Sequence, residues 1–468
     1  MKRIVEVVSS VLNLRGVHPT RLIAIAFTVI IAVGAFLLSL PIANKSGSWL
    51  NLFDSLFTSV SAVTVTGLAT VDTETNWTMF GHVVIAMLMQ IGAFGIVGFG
   101  ALVIYLIEGR LSLRGKITAS SEVTTYAVPD VKTLLRNIAK VMLAFQAVLF
   151  VILFWRFFTE YEYSLGKAFG HGLFHSIASF NNAGFALYTD SMMRFARDPW
   201  IIVPVFIVVY FASLGFPVLV EIRDRIREKW KARFDADFIS TLPKQWSLNS
   251  RIVLWASFVL MIFGAVVIGV LEWNNPRTLG SLDSLSKILD SIFASVMPRT
   301  AGFNSLDISA MNPATWLVIN FLMFIGGASA STAGGIKVGT FVVLLYVVYT
   351  EIRGETAVNI GNRRLPRSMQ RQALTIVALT ASMIIASVIL LRLTTTFSLD
   401  QILFEVMSAV GTVGLSTGIT PNLPDHAKFL LSLLMLFGRL GPIVVATSLA
   451  LRKTRRPYEL PKERPLIG

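Results

Sequence analysis

The run TVTGL, Thr64 to Leu68, closes a moderately apolar segment, LFDSLFTSVSAV, and opens onto the polar run ATVDTETNW. It holds no charge and no aromatic ring. Alone it reads as a turn glycine after a short helix. Three further segments end the same way: NNAGF from Asn181, RTAGF from Arg299 and GTVGL from Gly411. Their glycines, Gly67, Gly184, Gly302 and Gly414, lie 117, 118 and 112 residues apart. Phe57, Phe174, Phe293 and Phe404 each lead one of them by nine or ten positions. Recurrence at a near-fixed period is an internal repeat, and it decides the architecture.

Composition sets the solvent. Hydrophobic residues make up 54% of the 468 and charged residues 15%. Soluble domains carry about 25% charged residues, so this is an integral membrane protein with several spans. There are no cysteines, which removes disulfides, zinc–thiolate sites and thiol catalysis. Apolar runs able to cross about 30 Å of hydrocarbon fall at 22–41, 82–107, 134–158, 200–221, 251–271, 315–350, 372–393 and 428–451. The amino-terminal run before Arg21 is basic and lacks the apolar core and cleavage site of a leader, so it reads as an interfacial helix. The formal net charge is +14. Most of the basic residues cluster at the two termini and in alternate connections, around Arg110–Arg136, Arg223–Arg251 and Arg353–Arg371. That alternation places the termini and these loops in the cytoplasm. The charge is therefore topology first, with anionic lipid or an acidic partner second, and it does not indicate nucleic acid.

The four remaining connections hold the glycine-ended segments, each too short to span. The expected fold is an all-α integral membrane protein. Eight transmembrane helices form four parallel repeats of outer helix, re-entrant pore helix and inner helix, with pseudo-fourfold symmetry around one pore. The expected division is a cytoplasmic segment at 1–21, repeats at 22–110, 111–225, 226–355 and 356–455, and a cytoplasmic tail at 456–468.

Non-helical backbone at membrane depth survives only when buried in protein or lining water. Four such segments at one axis could turn carbonyls inward and replace a cation's hydration shell. Glycine permits the required backbone and leaves room. Thr64, Thr66, Thr300 and Thr412 add hydroxyls. The segments hold no carboxylate, which favours a monovalent ion over calcium or magnesium.

With these residues in view, the chain resembles the Trk/Ktr/HKT superfamily of potassium transporters over nearly its whole length, and within it the KtrB-type membrane subunits. The resemblance implies selectivity-filter roles for Thr64, Val65, Thr66 and Gly67; Asn181, Asn182, Ala183 and Gly184; Arg299, Thr300, Ala301 and Gly302; and Gly411, Thr412, Val413 and Gly414. It implies potassium as the substrate ion, held by backbone carbonyls near Thr66, Asn182, Thr300 and Thr412. It leaves open sodium as an activator. It further implies a homodimer with one pore per subunit, a bacterial plasma (inner) membrane location with both termini cytoplasmic, and a cytosolic RCK-type (KtrA-like) ring that carries the nucleotide. One glycine per quarter implies fewer equivalent carbonyl rings than a two-glycine potassium-channel filter. Arg299 is expected to face away from the ion and hold its strand.

The span at 315–350 has 36 residues, about 54 Å as one helix at about 1.5 Å per residue. Its centre holds ten consecutive small residues, Gly326 to Gly335. Two half-helices with an intramembrane loop are expected. Gly326, Gly327, Ser329, Ser331, Thr332, Gly334, Gly335 and Lys337 form a candidate gate, as the matching position does in the family. Lys337 either snorkels to the surface or anchors the loop. Arg439 lies near the middle of the last span with no acidic residue beside it. A charge there is costly and functional; a barrier below the filter is expected. Gly95, Gly98, Gly215 and Gly441 mark kinks or close approaches.

Two rivals remain open. A symporter with alternating access is disfavoured by four parallel repeats. A membrane metalloenzyme would use His171 and His175, which have i, i+4 spacing but no third ligand. They read instead as pore-helix residues. Asp54, Asp290 and Glu405 are expected to draw cations to the mouth or to cap helices.

Overall fold

In the computed structural model the chain is described over residues 19–93, 131–234, 245–299, 301–361 and 363–441. The first group of helices is α1 (Pro19–Ser39), the short α2 (Leu52–Val63) and α3 (Met79–Ala93). The second is α4 (Val131–Thr159), the short α5 (Leu165–Asn181) and α6 (Pro199–Ser213), followed by α7 (Phe216–Phe234). The third is α8 (Leu248–Glu272), α9 (Ser284–Val296), α10 (Pro313–Phe324) and α11 (Val338–Ile352). The fourth is α12 (Arg367–Thr394), α13 (Leu399–Gly411) and α14 (Asp425–Leu440).

Among the described residues three helices can by length and composition cross a membrane, α4 over Arg136–Thr159, α8 and α12, and the bent pair α6 and α7 counts as a fourth if taken as one span. The three helices contain the expected spans 134–158, 251–271 and 372–393. Each is apolar on nearly all sides. One face packs inward, while Val151 and Trp155 on α4, Trp255 and Val270 on α8, and Ile385 and Leu393 on α12 stay exposed. A helix apolar all round with an uncovered face suits hydrocarbon as solvent. The span expected at 200–221 is not one straight helix. It breaks between Ser213 and Phe216, and α7 leaves at 106° to α6. Gly215 at φ +86° and Pro217 permit the break. The span expected at 315–350 is likewise two helices, α10 and α11, with residues 325–337 between them. Among the described residues a two-stranded sheet also occurs, in which β1 (Asn359–Ile360) pairs antiparallel with β2 (Arg363–Arg364). Expected features at 1–18, 94–130, Thr300 and 442–468, including Gly95 and Gly98, lie outside the described residues.

The short helices start on caps that the sequence supplies. Asn51 accepts the Phe53 N–H, Ser164 that of Lys167, Asp283 that of Ser286, and Ser398 forms a capping box with Gln401. Each satisfies amides that a helix start leaves bare. Within every group the first helix packs along the short one: α1 on α2, α4 on α5, α8 on α9 and α12 on α13. Each third helix then packs on the next group's short helix: α3 on α5, α6 on α9, α10 on α13 and α14 on α2. The cycle closes on itself. A salt bridge from Lys428 to Asp54 at 2.9 Å marks the closure of the fourth group on the first.

Candidate functional site

The cycle of helices brings the four glycine segments together. Gly67, Gly184, Gly302 and Gly414 all have positive φ, +95°, +67°, +69° and +98°. A Cβ on Gly67 would strike the Ala183 carbonyl, and one on Gly184 would lie 2.9 Å from the Ala301 oxygen. One on Gly302 would strike the Val413 carbonyl, and one on Gly414 the Thr66 carbonyl. Each glycine thus abuts the carbonyl preceding the next, around a complete ring. Two positions earlier, Val65, Asn182 and Thr412 adopt left-handed backbone at φ +58°, +58° and +49°. The ring places Thr66 level with Ala183, Ala301 and Val413. The carbonyl set read from the sequence therefore mixes two levels, because Asn182 and Thr412 lie level with Val65.

Each quarter is held from behind differently. The Thr64 hydroxyl donates to the Val60 carbonyl at 2.7 Å and is hydrogen-bonded to that of Thr66. The Ser61 hydroxyl accepts the Gly67 N–H, and Ser408 that of Gly414, at 3.0 and 3.1 Å. Asn181 enters a buried amide cluster. Its Nδ2 donates to Gln90 on α3 at 2.9 Å, and Gln146 on α4 donates to Gln90 at 3.1 Å and to Asn181 at 3.4 Å. Arg299, almost wholly buried, turns outward and donates to the Ser257 carbonyl and hydroxyl of α8. Gly411 has no side chain, and its position lies against the Met323 carbonyl. Two inner-helix glycines complete the packing: Gly92 sits under the Val63 carbonyl and Gly438 under that of Val410.

Beyond the ring, the chain is clamped to the short helices at a repeated position. His175 donates from Nδ1 to the His171 carbonyl and accepts the Leu187 N–H at Nε2. Those partners define a neutral tautomer. In the fourth quarter Glu405 accepts the equivalent N–H, from Thr417, and the hydroxyls of Ser416 and Thr420. His175 therefore ties the chain after the ring to α5, with His171 supplying a backbone carbonyl, and no group of three metal-ligating side chains occurs among the described residues. Asp54, Asp290 and Glu405 are not helix caps. Asp54 pairs with Lys428, and Asp290 and Glu405 are buried. On the rim, the Tyr161 hydroxyl donates to Asp198 at 3.1 Å. Burial, then the Asp198 carboxylate, raise its pKa above the ordinary phenol value.

The 325–337 loop lies directly against the ring's fourth quarter. A Cβ on Gly334 would collide with the Thr412 hydroxyl, and Gly335 packs on Gly411. Arg439 donates to the Thr332 carbonyl in the loop and to the Gly92 carbonyl on α3. The break after α6 grips the loop's other side. Ala328 N–H donates to the Ser213 carbonyl at 2.8 Å, and Phe216 N–H to the Ala330 carbonyl at 3.0 Å. Interrupting a helix frees such groups, and here the loop takes them. Lys337 donates to the Ala333 carbonyl at 2.7 Å, so it anchors the loop. Sequence reasoning missed Gln90, Gln146, Ser257, Gly92 and Gly438. The two glycines had a signal: they follow Gly67 and Gly414 by 25 and 24 residues.

Comparison with known proteins gives one consistent answer. The model of the family TrkH, cation transport protein, matches residues 13–455. The Ktr system potassium uptake protein B of Vibrio alginolyticus is 35% identical over 93% of this chain and 92% of its own. That of Bacillus subtilis is 35% identical over 92% and 93%. The potassium/sodium uptake protein NtpJ of Enterococcus hirae is 32% identical over 97% and 98%. The crystal structure of the potassium transporter TrkH from Vibrio parahaemolyticus superposes with a TM-score of 0.68 at 18% identity, covering 92% of this chain and 84% of that one. At that identity the likeness concerns the fold.

The amide cluster yields a stability prediction. Gln146→Leu strands the polar atoms of Gln90 and Asn181, each costing roughly 1–3 kcal/mol when buried without a partner. The detergent-solubilised variant should unfold at a lower temperature than the parent. An unchanged melting temperature would show that the cluster does not brace Asn181.

Proposed function

Because the chain belongs to the TrkH family of cation transport proteins, and so is a multi-pass membrane protein, we propose that it is the potassium-conducting membrane subunit of a Ktr-type uptake system. The family is one of transporters, which sets aside the metalloenzyme reading. The observation that carries the proposal is the closed ring in which each of four glycines meets the carbonyl preceding the next. Carbonyls of Thr66, Ala183, Ala301 and Val413, with those one level below, supply neutral oxygens in place of water. Potassium and sodium differ in radius and hydration, so selection depends on how firmly the ring holds its width. The braces behind it meet that need: the threonine pair, the amide cluster and Arg299 on Ser257.

The proposed gate is the loop between α10 and α11. It lies against Thr412 and is held by Arg439 on one side and by the α6–α7 break on the other. A guanidinium beside a cation path raises a barrier, and its hydrogen bonds keep the loop in place. Opening needs the loop to leave Arg439, which holds Thr332, and Phe216, which holds Ala330. We assign that work to a cytosolic nucleotide-binding ring acting on the cytoplasmic ends of the helices. The names of the Ktr relatives, which denote parts of a system, support a partner of this kind. The proposal includes a homodimer in the bacterial plasma membrane, both termini cytoplasmic, and leaves sodium the role of activator.

Rubidium uptake into liposomes driven by a potassium gradient alone tests the reading. Strict dependence on cotransported protons or sodium would overturn the channel-like mechanism. Gly67→Ala and Gly414→Ala force a Cβ into a carbonyl at positive φ, a strain of order 1–3 kcal/mol. Preference for rubidium over sodium should fall about tenfold, equivalent to about 1.4 kcal/mol. Unaltered preference would remove the filter assignment. Arg439→Ala should raise unstimulated uptake severalfold, since it deletes charge-assisted bonds of roughly 1.5–3 kcal/mol each. A flat response in both Arg439→Ala and a loop deletion would remove the gate.

A further inference from the structure

We propose that α7 is a membrane-surface helix that binds anionic phospholipid headgroups. Three observations converge on it. First, α7 leaves α6 at 106°, so if α6 follows the membrane normal, α7 runs near the membrane plane. Second, its outer half carries an uncovered apolar stripe at four-residue spacing: Ile226, Trp230 and Phe234 are 53%, 65% and 78% exposed. The rings of Trp230 and Phe234 lie 6.0 Å apart. Third, exposed bases flank the stripe while the acids lie away from it, with Arg225 and Arg223 ion-paired to Glu221 and Asp224. On a helical projection Arg227 and Arg233 flank the stripe closely and Lys229 borders it, all three exposed. The acids Glu221, Asp224 and Glu228 project on the opposite side. Glu221 faces the protein, where Arg225, Ser247 and Ser250 donate to it.

This pattern matches an interfacial helix: apolar side chains at the acyl boundary and basic ones at headgroup phosphates. The inner half is fixed to the protein by Glu221 and by Arg225, stacked over Trp246 at 4.5 Å. Only the outer half needs another surface. A protein partner or a second copy would suit the apolar stripe as well, but it would not by itself require basic residues on both flanks. The inference rests on the proposed cytoplasmic side of α7 and is independent of the ion path.

The chain has no cysteine, so a single Ile226→Cys or Phe234→Cys takes one nitroxide label. The full-length labelled protein is reconstituted in phosphatidylcholine with and without phosphatidylglycerol. The ratio of oxygen to water-soluble nickel chelate accessibility should rise severalfold with phosphatidylglycerol at both sites. The combined Arg227→Gln, Lys229→Gln, Arg233→Gln change should abolish that rise. Dominant nickel accessibility in both lipid mixtures, inaccessibility to both reagents, or depth independent of phosphatidylglycerol would each overturn the proposal. The unlabelled chain gives a second reading. Brominated phosphatidylglycerol should quench the parent more than Trp230→Phe; equal quenching would overturn it. Reduction of the Phe234→Cys label by external ascorbate in right-side-out vesicles reports sidedness separately, and none of these readouts needs flux.

Discussion

Four backbone contacts govern this molecule: each ring glycine against the carbonyl before the next. No side chain fits at those contacts, and the positive φ excludes most residues that could be tried. Everything around the ring holds it without entering it. The short helices deliver the strands, the inner helices press on the next group's short helix, and Gly92 and Gly438 allow that pressure to reach the backbone under Val63 and Val410. Strain at one quarter is therefore passed to its neighbour. That is why four unlike sequences must meet one geometric standard.

The unlike sequences meet it by unlike chemistry. The position three residues before each ring glycine is Thr64, Asn181, Arg299 or Gly411. Threonine folds back on its own helix, asparagine recruits two glutamines, arginine reaches Ser257, and glycine simply lets Met323 approach. In a low-dielectric interior a partly satisfied polar group is costly, so each choice fixes its partner. A near-symmetric ring is thus built from asymmetric supports. The quarter of Gly411 and Thr412 is packed directly by the 325–337 loop, through Gly334 and Gly335.

The same logic separates what the sequence made legible from what it hid. Glycine recurrence was readable because the contact itself demands glycine. The outward turn of Arg299 was readable because a guanidinium would repel the cation expected at the ring. The interruption at 326–335 was readable from ten small residues in a row. Gln90 and Gln146 were not, because a polar residue inside an apolar helix names no partner until folding brings Asn181 to it. The sharp turn after Ser213 was hidden for a related reason. One glycine and one proline suggest a kink, but only the loop's claim on the Ser213 carbonyl and the Phe216 N–H makes a full break stable. The small hairpin at Asn359–Arg364 left no apolar alternation to read.

That break ties two parts of the chain which the sequence presents as separate. A continuous helix through Ser213–Phe216 would spend both groups internally, and the loop would lose its second anchor. Because the helix stops, α7 is free to turn away from α6, and its first N–H becomes a loop contact. The position of α7 and the seating of the loop are then one mechanical variable. Arg439 opposes it from the far side through Thr332 and Gly92. A displacement of α7 pulls on Ala330 and leaves Arg439 bonded, whereas a displacement of α14 releases Thr332 and leaves Phe216 bonded. With a latch on each side, loss of either one loosens the loop in part and only loss of both frees it, which is the physical basis of the proposed gate.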